Sequence, residues 1–407
     1  MVAQALEGLR VLDFSRQMAG PHATVVLSDY GADVIKIESL PHGDPSRRTG
    51  TEFYDTESAC YLMWNRGKRS IALDMRKPEA LEIVHRLAKD ADIVLENYRP
   101  GVADEIGIGY EQLAKINPGI VYCSVSGFGP DGPLSSYPAT DPLVQGMTGV
   151  MSTTGERGHG PVLIGIPLID YSGALLAVQG IMFALHARHK TGRGQKVDVS
   201  LMFGILPALS TKLATFWATG KNPERFGSSH SIVLPYQAFQ TSDGWAMAGI
   251  WGDGDWPKFC AAVGRDDLAA DPKYATNKDR LERRDELMPK IEAEFPHRTT
   301  AEWAERFRKA GALFGPILTF TEVFKHPHVQ HSGVVQDVPH PTLGTVKQLG
   351  PVIQLSETPG RIQSAPPLLG QHTAEVLKEA GYSDKEIAVL RADGAVGVAD
   401  LPAKPRH

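Results

Sequence analysis

Asp170 is the carboxylate whose surroundings in the sequence best suit covalent chemistry. It ends the apolar run Val162–Ile169 and directly precedes a predicted helix that begins at Tyr171. Aspartate is among the best helix N-caps, so capping alone would explain this residue. The backbone N–H groups and the dipole of a helix start also hold a carboxylate in its ionised form. An ionised, fixed carboxylate can attack an acyl group and form an anhydride, so both interpretations of Asp170 stay open at this point.

Motifs for other common chemistries are missing from the sequence. No GxxxxGK[ST], no GxGxxG after the first predicted strand, no GxSxG and no HExxH occurs. Nucleotide, dinucleotide, simple hydrolase and zincin sites are therefore not predicted. The three cysteines form no CxxC pair, and His326 and His328 lack the helical spacing of a metal site. We predict no metal site and no permanently bound cofactor.

The elements that would position Asp170 alternate between strand and helix signals. Short apolar runs are separated by segments of helical length, which predicts a parallel sheet with helices on both faces. The predicted strands are 9–14, 33–37, 70–73, 91–95, 120–125 and 196–201. The fold class is therefore α/β.

From residue 221 onward the pattern changes to that of a smaller α+β domain. Tyr236–Gly249 predicts an antiparallel hairpin with Asp243 and Gly244 at its turn. The later predicted elements are helical segments at 277–294 and 300–310, a strand-like segment at 339–355 and a helix at 371–380.

Length, charge and hydropathy exclude certain classes of protein. The chain has 407 residues, 42% hydrophobic and 22% charged, with a formal net charge of −5. The length predicts two domains, and the small negative charge argues against nucleic-acid binding. The longest apolar run, 175–185, falls short of the ~20 residues of a membrane span, and the N-terminal residues lack a signal-peptide pattern. We expect a cytoplasmic protein that binds neither nucleic acid nor membrane.

Eight short motifs occur in order over nearly the whole chain. They are Gly8–Phe14, Ala19–Pro21, Gly31–Glu38, Asn65–Ser70, Glu96–Gly101, Ser126–Gly129, Lys190–Gln195 and Ala365–Thr373. This ordered set resembles the class III CoA-transferase family, which includes formyl-CoA and carnitine CoA-transferases. The same fold also hosts α-methylacyl-CoA racemases. No single motif is decisive, but the set is highly specific.

The resemblance implies a ring-shaped subunit that interlocks with a second copy in a homodimer. It implies a large Rossmann-like, CoA-binding domain over residues 1–215, a small α+β domain over 225–325, and a C-terminal segment, 330–395, that returns to the large domain. It also places the catalytic aspartate about twenty residues before the Lys190–Gln195 motif, where Asp170 stands.

The family mechanism then assigns a role to Asp170. Its carboxylate would attack the thioester of an acyl-CoA such as succinyl-CoA, and form an aspartyl anhydride followed by an aspartyl-CoA thioester. CoA would then pass to a carboxylic acid, so acyl-CoA and the acid are the partners and CoA is a substrate. Backbone N–H groups near the helix start are expected to stabilise the oxyanions.

The resemblance also nominates binding residues. The candidates for CoA are Arg16, Gln17, Ala19, Leu73, Arg76, Asn97 and Tyr98. The candidates for the acyl pocket are Arg225, His230, Tyr236 and Gln237. A cation there would favour a dicarboxylic acid, although Arg225 could equally pair with Glu224 or Asp255 at the surface. The glycine-rich loop 249–254 could cover the active site.

Certain positions depart from the family pattern or separate its members. Glu105 stands where many members carry a basic residue, and Ser39 stands where some carry arginine. Racemases use a histidine where this chain has Thr140, within Ala139–Pro142, and threonine cannot exchange an α-proton near neutral pH. A transferase is therefore favoured over a racemase. A CoA-binding subunit without catalysis is the third alternative, and the presence of Asp170 argues against it.

Overall fold

The computed structural model describes residues 3–399, where strands and helices alternate along much of the chain. The strands are β1 (Arg10–Asp13), β2 (Asp33–Ser39), β3 (Phe53–Tyr54), β4 (Glu57–Ser58), β5 (Lys68–Leu73), β6 (Ile93–Glu96), β7 (Val121–Ser126), β8 (Lys196–Ser200), β9 (Tyr236–Gln240), β10 (Trp245–Gly249), β11 (Leu313–Pro316), β12 (Val335–His340), β13 (Gly344–Leu349) and β14 (Val396–Gly397). The helices are α1 (Ala19–Asp29), α2 (Ala59–Trp64), α3 (Pro78–Ala88), α4 (Val102–Glu105), α5 (Tyr110–Ile116), α6 (Asp141–Met147), α7 (Val150–Thr153), α8 (Leu168–Thr191), α9 (Leu201–Ile205), α10 (Ser210–Thr219), α11 (Trp256–Val263), α12 (Asp266–Ala270), α13 (Asn277–Glu282), α14 (Arg284–Glu292), α15 (Thr300–Ala310), α16 (Phe320–Lys325), α17 (Pro327–Ser332), α18 (Thr373–Glu379) and α19 (Asp384–Ala392).

A seven-stranded sheet in the order β14-β5-β2-β1-β6-β7-β8 forms the centre of the larger unit. Its central pairs are parallel, with Leu12 opposite Ile35 on one side and Val94 on the other. Only β14 runs antiparallel, with Val396 opposite Leu73. Strands β1, β2, β5, β6 and β7 are buried at most positions because helices cover both faces of the sheet. The predicted α/β class and Rossmann-like sheet are confirmed.

The two faces of this sheet are covered by different helices. Side chains of α3, α5, α18 and α19 pack with alternate residues of β1, β2, β5 and β6 in one apolar core. Helices α1 and α8 contact each other and cover the opposite face, where α8 lies against β7 and β8. The start of α8 is thereby fixed beside the carboxyl ends of the strands.

Helix α8 begins earlier than the sequence pattern predicts. Its first residue is Leu168 rather than Tyr171, and Pro167 precedes it. Proline suits the start of a helix because its missing N–H would have no helical partner there. Asp170 therefore lies in the first turn, as the third helical residue, and the interpretation of Asp170 as the N-cap is wrong. Gly192, with a φ of 70°, ends the helix in the left-handed conformation.

The described chain divides into two compact units. The first contains residues 3–148, 164–213 and 332–399, and the second contains 149–163 and 214–331. The division differs from the bounds expected from the sequence in one respect. Residues 149–163, expected within the large domain, group with the second unit.

The second unit has its own sheet and core. Strands β9, β10 and β11 form an antiparallel sheet, and Tyr236 lies opposite Gly249 as the hairpin prediction requires. An aromatic cluster fills the core, in which the rings of Phe239 and Phe295 stack with centroids 4.1 Å apart. Trp303 is buried in the same cluster and donates its indole N–H to the Phe295 carbonyl (2.8 Å).

Two helical stretches among residues 3–399 reach the length and apolar content of a membrane span. They are α8, with a mean hydropathy of 1.6, and Leu201–Thr219, with 1.3. Length and hydropathy alone are weak evidence, because a helix of a protein core meets the same criteria. Helix α8 has this packing, since it contacts α1, β7 and β8.

Candidate active site

A cavity of about 480 Å³ opens beyond the carboxyl ends of β1, β6 and β7. Ligands of open α/β sheets bind at this edge of the sheet. The loops that follow the three strands supply most of its wall, and α1, α6, α8 and α9 supply the rest. The lining residues are Arg16, Gln17, Met18, Ala19, Asn97, Tyr98, Arg99, Pro100, Val125, Ser126, Gly127, Ser135, Tyr137, Pro138, Ala139, Thr140, Asp141, Pro142, Asp170 and Leu201.

Asp170 presents the one carboxylate of the α8 first turn to this cavity. The side chain is partly buried. Burial, with a further contribution from the negative charge of Asp141, raises the pKa of Asp170 to about 6. A carboxylate of raised pKa is more basic than free aspartate and is still ionised at neutral pH, which suits a nucleophile.

This pKa predicts an acid limit for catalysis. A raised pKa means that Asp170 in the folded protein takes up its proton at higher pH than free aspartic acid does. The nucleophilic form is therefore lost as pH falls through about 6, and we expect kcat/KM for acyl-CoA to fall tenfold per pH unit below that value. Initial rates between pH 4.5 and 8, on enzyme shown to stay folded by circular dichroism, would test this. A constant rate down to pH 5 would contradict it.

The N–H groups at the start of α8 are already engaged. Asp141 Oδ2 accepts hydrogen bonds from the N–H groups of Ile169 (2.7 Å) and Asp170 (3.1 Å). The N–H of Leu168 donates to the Ile166 carbonyl (2.8 Å), and that of Tyr171 donates to the Pro167 carbonyl (3.0 Å). The expectation that these groups stabilise the oxyanions is therefore wrong.

The start of α1 lies on the same cavity wall and is the alternative source of donors. Met18 precedes this helix, and within residues 3–399 no side chain caps it. The first N–H groups of a helix point out of its N-terminus and favour negative charge. Close packing explains why residue 20 in this first turn is glycine, because a Cβ there would lie 2.2 Å from the Cβ of Ser15.

Arg16, Asn97 and Tyr98 form one connected wall of the cavity. Asn97 accepts the Arg16 N–H (2.8 Å) and donates to the Arg16 carbonyl (2.9 Å), which joins the loops after β1 and β6. The Arg16 guanidinium lies 4.7 Å from the centre of the Tyr98 ring and donates to the Ser39 hydroxyl (3.4 Å). Arg99, the next residue in the chain after Tyr98, also lines the cavity.

Gln17 has an unusual backbone conformation. Its φ is 63°, in the left-handed region that residues other than glycine rarely adopt. The Gln17 N–H donates to Asp44 Oδ1 (3.0 Å), and the side chain is exposed to the cavity. Strained backbone persists where surrounding contacts hold it, and such positions cluster at functional sites.

Buried ion pairs support the loop that carries Gln17. Lys36 is fully buried, lies 2.8 Å from Asp44 Oδ2 and donates to the Ser15 carbonyl (2.9 Å). Lys68 and Asp13 form a second fully buried pair at 3.0 Å. Although burial by itself raises the pKa of Asp13, the charges of Lys68 and Lys36 lower it to about 2.

Two of the nominated CoA contacts lie outside this cavity. The Leu73 side chain is fully buried in the core at the end of β5. Arg76 is exposed and forms a bidentate contact with Asp74 at 2.7 and 2.8 Å. The structure therefore brings Arg16, Gln17, Ala19, Asn97 and Tyr98 together with Asp170, whereas Leu73 and Arg76 lie elsewhere in the same unit.

The nominated acyl-pocket residues all lie in the second unit. Arg225 donates to the backbone carbonyls of Ser152 (3.4 Å) and His159, so it pairs with neither Glu224 nor Asp255. Glu224 is instead 3.4 Å from Arg157.

Of the remaining three candidates, Tyr236 and Gln237 begin strand β9 and His230 precedes it. The His230 ring stacks on Tyr236 at 5.8 Å and meets Trp251 edge-on at 5.9 Å. Gln237 donates to Glu292 (2.7 Å). In the glycine-rich loop 249–254, Asp253 forms an ion pair with Arg280 at 2.6 Å.

Asp141 and Gln145 contact the chain around Asp170, and neither was singled out from the sequence. The stretch Ala139–Pro142 was considered only for Thr140, which does line the cavity. A proline one residue after an aspartate is a common helix start and could have drawn attention to Asp141. Asp141 contacts a helix that begins 27 residues later, and no pattern in the neighbouring sequence predicts that contact.

Similar proteins point to one family. The model of CoA-transferase family III matches residues 6–373. A succinyl-CoA:glutarate CoA-transferase from Mus musculus is 38% identical over 392 residues, covering 96% of this chain and 90% of the relative. A formyl-CoA:oxalate CoA-transferase from Streptomyces coelicolor is 34% identical, covering 97% of this chain and 100% of the relative.

A solved structure has the same fold. The CaiB/BaiF family protein from Brucella suis is 35% identical and matches with a TM-score of 0.84 over 93% of this chain and 100% of its own. The resemblance inferred from the motifs is confirmed over nearly the full length. The chain therefore belongs to CoA-transferase family III, a family of enzymes that transfer coenzyme A.

Proposed function

We propose that this enzyme transfers CoA from succinyl-CoA to a dicarboxylic acid, with Asp170 as the nucleophile. The observation that carries the proposal is the position of Asp170. Its carboxylate lies in the first turn of α8, on the wall of a cavity that also contains Arg16 and Arg99. Guanidinium groups bind phosphate and carboxylate oxygens well.

The reaction proceeds through two anhydrides. Asp170 attacks the thioester carbonyl of succinyl-CoA, the C–S bond breaks, and a mixed anhydride and CoA thiolate form. The thiolate attacks the Asp170 carbonyl of the anhydride, which releases succinate and leaves an aspartyl-CoA thioester. The acceptor carboxylate displaces CoA from this thioester, and the thiolate then attacks the acceptor carbonyl of the second anhydride. Asp170 is regenerated, and thioester energy is conserved without ATP or a metal.

The cavity residues take roles in binding and stabilisation. Arg16, Gln17, Ala19, Asn97 and Tyr98 contact CoA, and the N–H groups at the start of α1 donate to the oxyanions. Leu73 and Arg76 reach CoA only where it extends beyond the cavity, Arg76 through its exposed guanidinium and Leu73 through its backbone.

The choice of a dicarboxylic acid has separate support. A succinate–glutarate CoA-transferase from Agrobacterium fabrum is 34% identical to this chain, covering 92% of it and 95% of the relative, and the mouse and Streptomyces relatives are also named for dicarboxylic acids. Arg16 and Arg99 line the cavity with Asp170 and can pair with a second carboxylate. Arg225, His230, Tyr236 and Gln237 remain the proposed acyl-pocket residues of the second unit.

A matched pair of acceptors tests this choice. Glutarate and pentanoate have the same carbon chain, and only glutarate has the second carboxylate. With succinyl-CoA as donor, we expect glutaryl-CoA to form at least about 10²-fold faster than pentanoyl-CoA, because an arginine left unpaired in the cavity costs free energy. Mass spectrometry of the CoA products would measure both rates. Equal rates would contradict the dicarboxylate proposal.

The same assay separates the two alternatives. A racemase would exchange the α-proton of a 2-methylacyl-CoA with D₂O and form no new thioester, and Thr140 at the racemase histidine position argues against it. A silent CoA-binding subunit would form no product with any acid.

An interlocked homodimer is also proposed. Large apolar side chains are exposed on α8, α9 and α10, where Phe183 is 73%, Phe203 60% and Trp217 75% exposed. Exposed apolar surface of this kind marks an interface, and a second copy of the chain is the partner that the family resemblance implies. A cytoplasmic location, without nucleic-acid or membrane partners, belongs to the same proposal.

A further inference from the structure

The start of α8 is capped by a residue from another helix. Asp141 is the first residue of α6 and is only 7% exposed. Its Oδ2 accepts the N–H groups of Ile169 and Asp170 at 2.7 and 3.1 Å. Pro167 has no polar side-chain atom with which to cap the helix, so Asp141 satisfies two N–H groups that would otherwise lack partners. One of those groups belongs to the nucleophilic residue itself.

The other oxygen of Asp141 is fixed by a fully buried amide. Gln145, one turn later on α6, donates from Nε2 to Asp141 Oδ1 (2.6 Å). The same amide accepts the Ile164 N–H at Oε1 (3.0 Å) and donates to the Ile166 carbonyl (3.4 Å). The side chains of Asp141 and Gln145 thus connect α6, by hydrogen bonds, to the segment 164–170 that leads into α8.

We propose that Asp141 and Gln145 are positioning residues that fix the backbone of Asp170 at the start of α8. The proposal rests on the proposed function, in which Asp170 is the nucleophile. Asp141 acts through hydrogen bonds to the backbone and through its negative charge, and Gln145 acts by holding Asp141. Catalysis through a covalent intermediate is sensitive to such positioning, since a misplacement of about 1 Å can cost about 10²-fold in rate.

The negative charge of Asp141 has a second consequence. Burial is the larger cause of the raised pKa of Asp170, and the charge of Asp141 is the second cause. A more basic carboxylate is a better nucleophile toward a thioester. The other charged or titratable groups around the start of α8 are Arg16, Tyr98, Arg99 and Tyr137 on the cavity wall and His22, whose ring lies 5.3 Å from that of Tyr171. Asp141 is the one acidic side chain besides Asp170 among the cavity residues given above.

Two substitutions of Asp141 separate its charge from its hydrogen bonds to the backbone of α8. Asp141→Asn keeps the side-chain volume and an acceptor oxygen for the Ile169 and Asp170 N–H groups, but removes the charge and the oxygen that accepts from Gln145 Nε2. We expect kcat at pH 8 within about tenfold of the wild type and a pH–rate midpoint shifted below that of the wild type. Asp141→Ala removes both, and we expect kcat to fall about 10²-fold with little change in the KM for succinyl-CoA.

Gln145→Met tests the second member of the pair. Methionine has similar length but cannot make the three hydrogen bonds of Gln145. We expect a fall in kcat of about tenfold, without the pH shift of Asp141→Asn. This variant and Asp141→Asn keep the proposal testable if Asp141→Ala does not fold.

Asp243→Asn is the matched control. Asp243 also caps a helix from a distant element, since its Oδ1 accepts the Thr300 N–H at the start of α15 (2.7 Å). It belongs to the second unit and is not among the residues of the Asp170 cavity. We expect it to leave the pH–rate midpoint and kcat unchanged.

The outcomes distinguish this proposal from the proposed function. If Asp170→Ala is inactive while all three substitutions of Asp141 and Gln145 keep the wild-type kcat and midpoint, the positioning role is wrong. A shift of equal size in Asp243→Asn would also overturn it. If Asp170→Ala keeps its activity, the proposed function itself fails.

Discussion

Replacing Asp170 by alanine is expected to lower the rate of CoA transfer by about 10⁴-fold or more, because every covalent intermediate of the proposed reaction is built on its carboxylate. Asp170→Asn, which keeps the side-chain shape, should be equally inactive. Transfer from succinyl-CoA to glutarate, followed by mass spectrometry, measures the loss. The variants should still bind CoA, since Arg16, Asn97 and Tyr98 are unchanged.

Chemical trapping of the covalent intermediate tests the same role of Asp170 directly. Wild-type enzyme incubated with succinyl-CoA and then hydroxylamine should carry a hydroxamate on the peptide that contains Asp170, and Asp170→Asn should carry none. The variants should be at least as stable as the wild type, because burial and Asp141 disfavour the ionised carboxylate in the folded state. Normal transfer by Asp170→Ala, or a hydroxamate on another residue, would exclude Asp170 as the nucleophile.

Breaking the buried ion pair beneath the Gln17 loop is expected to have the largest effect on stability. Asp44→Ala leaves the Lys36 ammonium fully buried without its partner at 2.8 Å, and removing one member of a buried pair costs about 3–5 kcal/mol. The Gln17 N–H loses its acceptor as well, so the loop on the cavity wall should relax and the KM for acyl-CoA should rise. Urea unfolding and initial rates would measure the two effects.

Asp337→Ala is the control for this substitution. Asp337 pairs with Lys347 at the same distance, 2.8 Å, but both side chains are mostly exposed, and such pairs contribute at most about 1 kcal/mol. A double variant, Lys36→Met with Asp44→Leu, should recover part of the stability lost in Asp44→Ala, because it removes both charges. If Asp44→Ala loses no more stability than Asp337→Ala, the buried pair does not support the loop.

The position of Asp170 shows what a sequence pattern can and cannot predict. The ordered motifs identified it as the nucleophile candidate, and the strand pattern predicted a parallel sheet with helices on both faces. The helix start was predicted three residues late, because Pro167 and the apolar pair Leu168 and Ile169 resemble the end of a strand as much as a first turn. The capping partner, Asp141, is far away in sequence, so local propensity carries no information about it.

The residues nominated for CoA binding show the same limit of sequence-based prediction. Arg16, Gln17, Asn97 and Tyr98 follow the ends of adjacent strands, and the topology of a parallel sheet brings such loops together. Leu73 also ends a strand, but β5 lies toward the other side of the sheet and its side chain points into the core. Strand order is decided by tertiary packing, so the sequence alone could not separate these cases.

The antiparallel strand β14 has a consequence for how this protein is made. It covers the edge of β5, and its neighbour α18 contributes Thr373, whose hydroxyl accepts the Ala72 N–H across 301 residues of chain. A ribosome releases β5 long before it releases the segment that pairs with it, so the nascent chain carries an open strand edge throughout that interval. Unpaired edges template aggregation, and such late, long-range closure is slow. The larger unit therefore completes its fold only after β14 has left the ribosome, and chaperones have most reason to bind before that point.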